Sequence, residues 1–327
     1  MTLRQLVGSV VLGFTLVIPA VASAQDEDPV QIRRPKIEFS AGTWISVGDT
    51  RWAHNASSVP GLGNPTSKLI YKDVGTNVID LAGKLWFSQK IFGKLNVGFA
   101  DIGGGRLTDD DYGTGQRLFS RTNSDINGHN MWYLNADVGG RVKEFANSRG
   151  YLDVFGGYQY WHTDYRAVGI GQVVCDPSAI PGLTCPAAGT TSNQGQTVLT
   201  NTTDWHSIRA GVSSEYRFTR RISIHGTVAL IPVSILDNKD QHHLRSDLKQ
   251  NPSFSMVGYG MGADADVGVR FMIIKNLAAS LGYRVYYNRI LTGNLTVHPV
   301  SGSTESFPLT QFESLRHGLT AGITLIF

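Results

Sequence analysis

After its first two dozen residues the chain has no long apolar run, it carries only two cysteines, and charged residues make up just 17% of it. Each shortage excludes something. A helix that crosses a bilayer needs roughly 20 consecutive apolar residues, and no stretch beyond residue 24 supplies them. The charged fraction is below the roughly 25% of an average soluble domain. The formal net charge is only +3, and no basic patch interleaved with aromatics occurs, so the footprint of a nucleic-acid partner is missing. There is no Gly-x-Ser-x-Gly elbow, no His-Glu-x-x-His and no P-loop, which removes the familiar serine hydrolases, zincins and nucleotidases. The cysteines, Cys175 and Cys185, lie close together in a stretch rich in Pro, Gly and Thr. In an exported chain such a pair reads as one local disulfide. A metal centre would need more ligands than two thiols, and no metal is expected.

The amino terminus reads as an export signal over residues 1–24. Arg4 gives a positive start, Leu6 to Val21 is nearly all apolar or small, and Ala22-Ser23-Ala24 has the small-x-small form of a cleavage site. The apolar run of about 16 residues is too short to span a bilayer, so cleavage is expected after Ala24. Residues 25–35 follow as a polar tail. If the mature chain enters a membrane, only a closed barrel can take it there, because every backbone polar group in lipid must be paired within the protein.

What the chain does contain is alternation. Gly accounts for 37 residues and aromatics for 10%. In the terminal stretch Leu315, Leu319, Ala321, Ile323, Leu325 and Phe327 share one face, against Arg316, Gly318, Thr320, Gly322 and Thr324 on the other. That pattern suits a strand that is greasy toward lipid and polar toward a lumen. A soluble sandwich would reverse the two faces, and this strand alone does not separate the cases. Ten such segments occur, at about 36–48, 68–87, 92–106, 128–143, 150–166, 202–218, 221–236, 254–271, 276–295 and 310–327. Short turns at Ser88–Ile91, Phe145–Arg149, Thr219–Arg220 and Ile273–Lys275 alternate with long connections at His54–Thr66, Leu107–Asn127, Val168–Asn201, Leu236–Ser253 and Thr296–Pro308. With the export signal, this predicts an all-β fold. It is a ten-stranded antiparallel transmembrane β-barrel of the bacterial outer membrane, over residues 36–327, with short periplasmic turns and long extracellular loops. The inward set carries both signs of charge: Asp137, Arg141, Arg209, Glu215, Arg217, Asp264, Asp266, Arg270, Arg284 and Arg316. In so narrow a barrel these read as a mutually paired plug, and a wide pore is not expected.

Two polar clusters could carry chemistry. In Gly103-Gly104-Gly105-Arg106-Leu107-Thr108-Asp109-Asp110-Asp111-Tyr112, an extended backbone puts Asp109 and Asp111 on one face and Asp110 on the other. Two carboxylates on one face repel, and at least one pKa rises unless a cation, a water or a proton lies between them. A solvated acidic loop or a calcium loop would also fit. In Asp237-Asn238-Lys239-Asp240-Gln241-His242-His243, Asp240 and His242 share a face. A carboxylate beside an imidazole can orient it and raise its basicity. A plain polar loop is the simpler reading of that stretch.

Taken together, the clusters resemble the omptins, ten-stranded outer-membrane proteases. Gly104 to Tyr112 is similar to their Gly-Gly-x-x-x-Asp-x-Asp-Trp/Tyr element, and Asp240-Gln241-His242 to their Asp-Glu-His element. Strand sequences around Ser67 to Ile79, Tyr133 to Val138, Gly156 to Tyr165 and Leu319 to Phe327 follow in the same order. The resemblance implies an endopeptidase without a covalent intermediate. A water is held between an Asp couple, Asp109 and Asp111, and a dyad in which His242 is the base and Asp240 orients it. It also implies peptide or protein substrates at the cell surface, no cofactor, and outer-membrane lipopolysaccharide as a partner needed for activity. The sequence departs from the family where acidic residues select basic substrates: Asn238 holds one such position, and only Asp49 or Thr50 lies near the other. A non-enzymatic barrel, serving as an adhesin or surface structural protein, or a small porin, stands as the alternative.

Overall fold

The computed structural model describes residues 36–327; the export signal and the tail to residue 35 lie outside the described residues. Strands follow one another up and down: β1 (Ile37–His54), β2 (Leu62–Trp86), β3 (Ile91–Gly113), β4 (Arg117–Ile126), β5 (Asn130–Phe145), β6 (Gly150–Cys175), β7 (Thr191–Arg217), β8 (Ile222–His242), β9 (Phe254–Ile274), β10 (Leu277–Val297) and β11 (Glu305–Ile326). All pairings are antiparallel, and β1 pairs both β2 and β11, so the sheet closes on itself. Closure leaves no free edge, which a spanning sheet requires.

The structure has eleven strands rather than ten, yet the ring is ten strands wide at every level. β3 pairs with β5 up to Asp101↔Asn130 and with β4 from Gly105↔Ile126. β6 changes partner at the same height, from β5 to β4. β4 and β5 are therefore two pieces of one position. The break between them is made by Gly128, whose φ of 64° lies in the left-handed region. The backbone N–H groups of Asn127 and Ile102 donate across it to Arg166 O (3.0 Å) and His129 O (2.7 Å).

The long outer loops are a correction too. The stretch Leu107–Asn127 is mostly a hairpin closed by a single 3-10 turn, Thr114–Gln116. The connections at this end reduce to 55–61, 114–116, 176–190, 243–253 and 298–304, while the other end has 87–90, 146–149, 218–221 and 275–276. The strands run well above the apolar belt, so the barrel wall itself forms the outer structure.

The belt has the expected sense. Leu315, Leu319, Ile323 and Leu325 are exposed on β11, whereas Arg316 and Thr324 are buried inside. Ile79, Leu95, Val138, Val228, Val267 and Leu281 extend this outward apolar face around the ring. Tyr158, Tyr259 and Tyr283 stand exposed along its upper part, and Phe87, Phe218 and Phe327 near its lower end, the two aromatic girdles of a barrel in lipid.

The lumen is lined by paired charges around a cavity of about 250 Å³. Arg284 reaches Asp80 (2.7 Å) and Asp266 (3.2 Å), Arg209 reaches Asp264 (3.0 Å), Arg270 reaches Glu215 (2.8 Å), and Lys84 and Arg141 share Asp153 (2.9 and 2.8 Å). An aromatic layer crosses the bore: Tyr133 stacks on Trp161 (5.2 Å) and Trp161 on Tyr286 (3.9 Å), with Trp44 edge-on. Arg316 departs from the paired plug. Its partners are Ser46, Thr76 and the carbonyl of Val74, not a carboxylate.

Candidate functional site

On the upper part of β3 the pleat sorts three consecutive aspartates. Leu107 packs into the buried cluster inside the barrel, so Asp109 and Asp111, two and four residues on, share its inward face. They lie opposite Leu69 and Ser67 of β2. The Ser67 hydroxyl donates to Asp111 Oδ1. Asp110 turns away and is held by Arg121 of β4, whose Nη2 donates to Oδ2 (2.7 Å), and by the Tyr112 hydroxyl (3.2 Å). That ion pair removes Asp110 from any chelating loop.

The same alternation at the end of β8 buries Asn238 and Asp240 and places His242 with them, while Asp237, Lys239 and Gln241 take the other face. Asp240 Oδ1 lies 3.5 Å from His242 Nε2. Asn201 of β7 donates its amide to Asp240 Oδ2 (3.1 Å). The backbone N–H of His242 donates to Ser253 Oγ (3.0 Å), and the edge of Phe254 packs on the imidazole at 4.8 Å. The dyad is thus held on both sides.

The two strands stand on opposite walls, and electrostatics tie them together. Burial drives the Asp109 carboxyl well above its ordinary range, and the charges of Asp111, of Asp240 across the cleft and of Asp110 add to it. Asp111 is also raised, by burial, against the lowering effects of the Ser67 hydrogen bond and the nearby Arg245 cation. Burial pushes Asp240 up to about 7, opposed by the Asn201 hydrogen bond. Burial lowers His242 to about 3, with Arg245 and His243 adding to it, so the imidazole stays neutral. Asp109 Oδ1, Asp240 Oδ1, His242 Nε2 and the Tyr71 hydroxyl are all buried without a hydrogen-bond partner. Buried polar atoms are nearly always paired, and those of Asp109, Asp240 and His242 lie at the upper ends of β3 and β8.

Asp109 and Asp111 of β3 and the Asp240–His242 pair of β8 all lie on the inward side at the upper ends of their strands, and the charge of Asp240 is felt at Asp109. The structure adds Ser67, Tyr71, Asn201, Ser253 and Arg245, which the two polar clusters do not contain. A signal for two of them existed in the alternation Ser67-x-Leu69-x-Tyr71, inward residues of the strand beside Asp109. Of the two residues near the missing acidic position, Asp49 turns to the outer face, where Arg51 bonds it (3.2 Å), and Thr50 points inward with its hydroxyl 3.1 Å from that of Tyr165. Asn238 is buried, donating to Asn201, Thr202 O and Thr203. Both positions are uncharged. Cys175 and Cys185 form a disulfide with Cα atoms 5.7 Å apart. The loop it closes packs Ala179 and Ile180 against Phe119 and Leu62, on the wall that carries Asp109. Among the described residues no three His, Cys, Asp or Glu side chains are grouped to hold a metal ion.

Residues 47–315 match the family model described as Pom, Protochlamydia outer membrane protein. No curated protein matches the chain. Among solved structures, the outer membrane protease OmpT of Escherichia coli is similar with a TM-score of 0.71 at 14% identity, covering 91% of this chain and 100% of that one. The translocator domain of the autotransporter NalP of Neisseria meningitidis gives 0.36 at 10% identity, covering 91% of each chain. The outer membrane protein OprG of Pseudomonas aeruginosa gives 0.34 at 9%, covering 90% and 99%. At such identity the likeness to OmpT is one of fold. With most of its length inside the matched span, and its strands closed into a lipid-facing barrel, the chain belongs to the Protochlamydia outer membrane protein family.

Proposed function

We propose that the protein is an outer-membrane endopeptidase that hydrolyses peptide bonds with a water activated between Asp109 and Asp111 on one wall and the Asp240–His242 dyad on the other. One observation supports this reading: Asp109, Asp240 and His242 each bury a polar atom without a hydrogen-bond partner at the upper end of the barrel, and the Asp109 and Asp240 carboxylates feel each other's charge. The residues suit the chemistry. His242 is neutral and can take a proton from water as the water oxygen bonds to the peptide carbonyl carbon. Asp240, once ionised, supports the imidazolium that forms, as Asn201 and Ser253 hold the dyad in place. The raised Asp109–Asp111 couple retains a proton and can bind the water by both donating and accepting. The proton on His242 then passes to the leaving nitrogen as the C–N bond breaks. Omptin-like activity would also need lipopolysaccharide around the barrel. Thr50 and Asn238 leave uncharged the two positions whose acids select Arg or Lys in the family that the sequence resembles.

The test is kinetic. Protein refolded with lipopolysaccharide should cleave peptides from a mixed-sequence pool. Asp109→Ala and His242→Ala should each lower kcat by at least about 100-fold, with the folded barrel still resisting heat on a gel. A parent without turnover overturns the proposal in favour of a surface structural barrel, and variants as active as the parent overturn the assignment of roles.

A further inference from the structure

At the periplasmic end, away from the acids, charge of one sign collects. The four turns there, 87–90, 146–149, 218–221 and 275–276, hold Lys90, Arg149, Arg220, Arg221 and Lys275 and no acid. The connections at the outer end are balanced, Asp176 and Asp247 against Arg245 and Lys249. The chain's net charge of +3 conceals this asymmetry. Inside the ring of short turns lies a cavity of about 590 Å³. Six cations line it, Arg141, Arg217, Arg220, Arg221, Arg270 and Lys275, against two acids, Glu38 and Glu215. Arg270 is answered by Glu215 (2.8 Å), and Arg141 by Asp153 (2.8 Å), which does not line the cavity. The other four cations meet one further lining acid, Glu38. Arg220, Arg221 and Lys275 are exposed and form the rim. Met272, Ile273, Ile274 and Ile326 complete the wall, so the mouth is apolar as well as positive. Glu38, Tyr151, Glu215 and Arg270 also line the cavity of the bore, so the two cavities adjoin. The layer of Tyr133, Trp161 and Tyr286 closes the bore cavity above, which makes it a dead end.

We propose that this mouth binds an acidic peptide from the periplasmic side, a carboxylate-bearing segment of a partner protein. Five of the six lining cations are arginines, and the planar guanidinium fork can hold a carboxylate through two parallel hydrogen bonds. Charges of one sign in a concave, low-dielectric wall focus their field, so an anionic chain is drawn in as well as held. The isoleucines of the wall would cover apolar side chains set between the carboxylates. A lipid headgroup fits less well, because these cations line the inside of the ring and lipid surrounds its outside. The closed bore lets a chain enter and stop but not pass, so the mouth is a docking site and not a conduit. None of these residues belongs to the Asp109–His242 site, so the mouth stands independently of the peptidase reading.

The test is fluorescence anisotropy, with the full refolded chain in micelles and a labelled peptide that alternates glutamate and leucine. The parent should bind it, and raising salt from about 50 to about 300 mM should weaken binding several-fold, because exposed charges are screened. The same peptide with glutamine for glutamate should not bind. Arg220→Glu combined with Arg221→Glu should weaken binding at least about tenfold, and Lys275→Glu alone several-fold. These are exposed turn residues, and resistance to heat on a gel checks that each barrel is folded. Should the double variant fail that check, Lys275→Glu decides. Lys72→Glu combined with Lys249→Glu changes two exposed cations near the outer end and should bind like the parent. A parent that binds no peptide overturns the proposal. So does equal binding by every variant, or an equal loss in the outer-end variant. Anionic phospholipid that copurifies with a parent unable to bind the peptide, and is lost from the Arg220→Glu, Arg221→Glu variant, overturns it in favour of a lipid site. Binding that appears only once Asp26, Glu27 and Asp28 are replaced by asparagine overturns it as well, since the occupant would then be the chain's own tail.

Discussion

Asp240 and His242 invert the usual order of a carboxylate and an imidazole. Burial raises the acid to about 7 and lowers the base to about 3, so near neutral pH the imidazole is unprotonated while the carboxyl is only partly ionised. Below about pH 7 Asp240 is protonated and cannot support an imidazolium; above it the charge is present. The sign follows: kcat/KM for peptide cleavage should climb as pH rises through about 7 and then level off. A profile already flat from about pH 5.5 upward would contradict that assignment. The pairing of Asp109 with Asp111, and of Asp240 with His242, was legible from alternation alone, because the pleat has a period of two. The inward face of Tyr71 was legible in the alternation Ser67-x-Leu69-x-Tyr71, but its neighbours were not, and Asn201 gave no signal. Nothing in a tyrosine on β2 or an asparagine on β7 announces which buried acid it will face.

At the level of the strands, the lower halves announced themselves and the upper halves did not. Within lipid one face must be apolar, so β9 and β11 show strict alternation. Above the belt both faces meet water or the polar cleft, and the pattern fades. Arg117–Ile126 is the example: Arg121, Asn123 and Asp125 lie on its outer face and Ser120, Thr122 and Ser124 on the inner, so it read as loop until its pairing with β3 and β6 made it a strand. The disulfide belongs to this scale as well. It closes a short loop, with its cysteines ten residues apart, and ties that loop to the hairpin tip above Asp111. Replacing Cys175 and Cys185 by serine should cost about 2–3 kcal/mol of local order in 176–190. The checks are faster nicking there by a non-specific protease and a nearly unchanged melting midpoint for the barrel. A large fall in the midpoint would mean that the loop supports the ring itself.

For the whole molecule the deciding feature is a bore crossed by an aromatic layer and lined by paired charges. Arg284 bridges Asp80 and Asp266, the Trp161 stack lies across the bore, and charges of both signs answer one another around it. No steady ohmic current is therefore expected from the protein in a planar bilayer; a stable open conductance would show that the lumen is not held shut. Arg284→Ala leaves two carboxylates facing each other without their cation. It should lower the urea midpoint by the equivalent of up to about 3–5 kcal/mol, and a midpoint equal to the parent's would mean that water replaces the pair at no cost.

By itself the sequence determined the period, the sense of the lipid-facing face, the direction of the ten strands it marked and the sorting of Asp109, Asp110 and Asp111. All of these are local consequences of a backbone whose side chains alternate. Tertiary structure alone decided that β4 continues β5, that Arg316 bonds two hydroxyls and a carbonyl instead of an acid, and that Asp109 feels the charge of Asp240. Those facts depend on how far each strand slides against its neighbour before the ring closes. That stagger is set jointly by all the strands and is written in no single one of them.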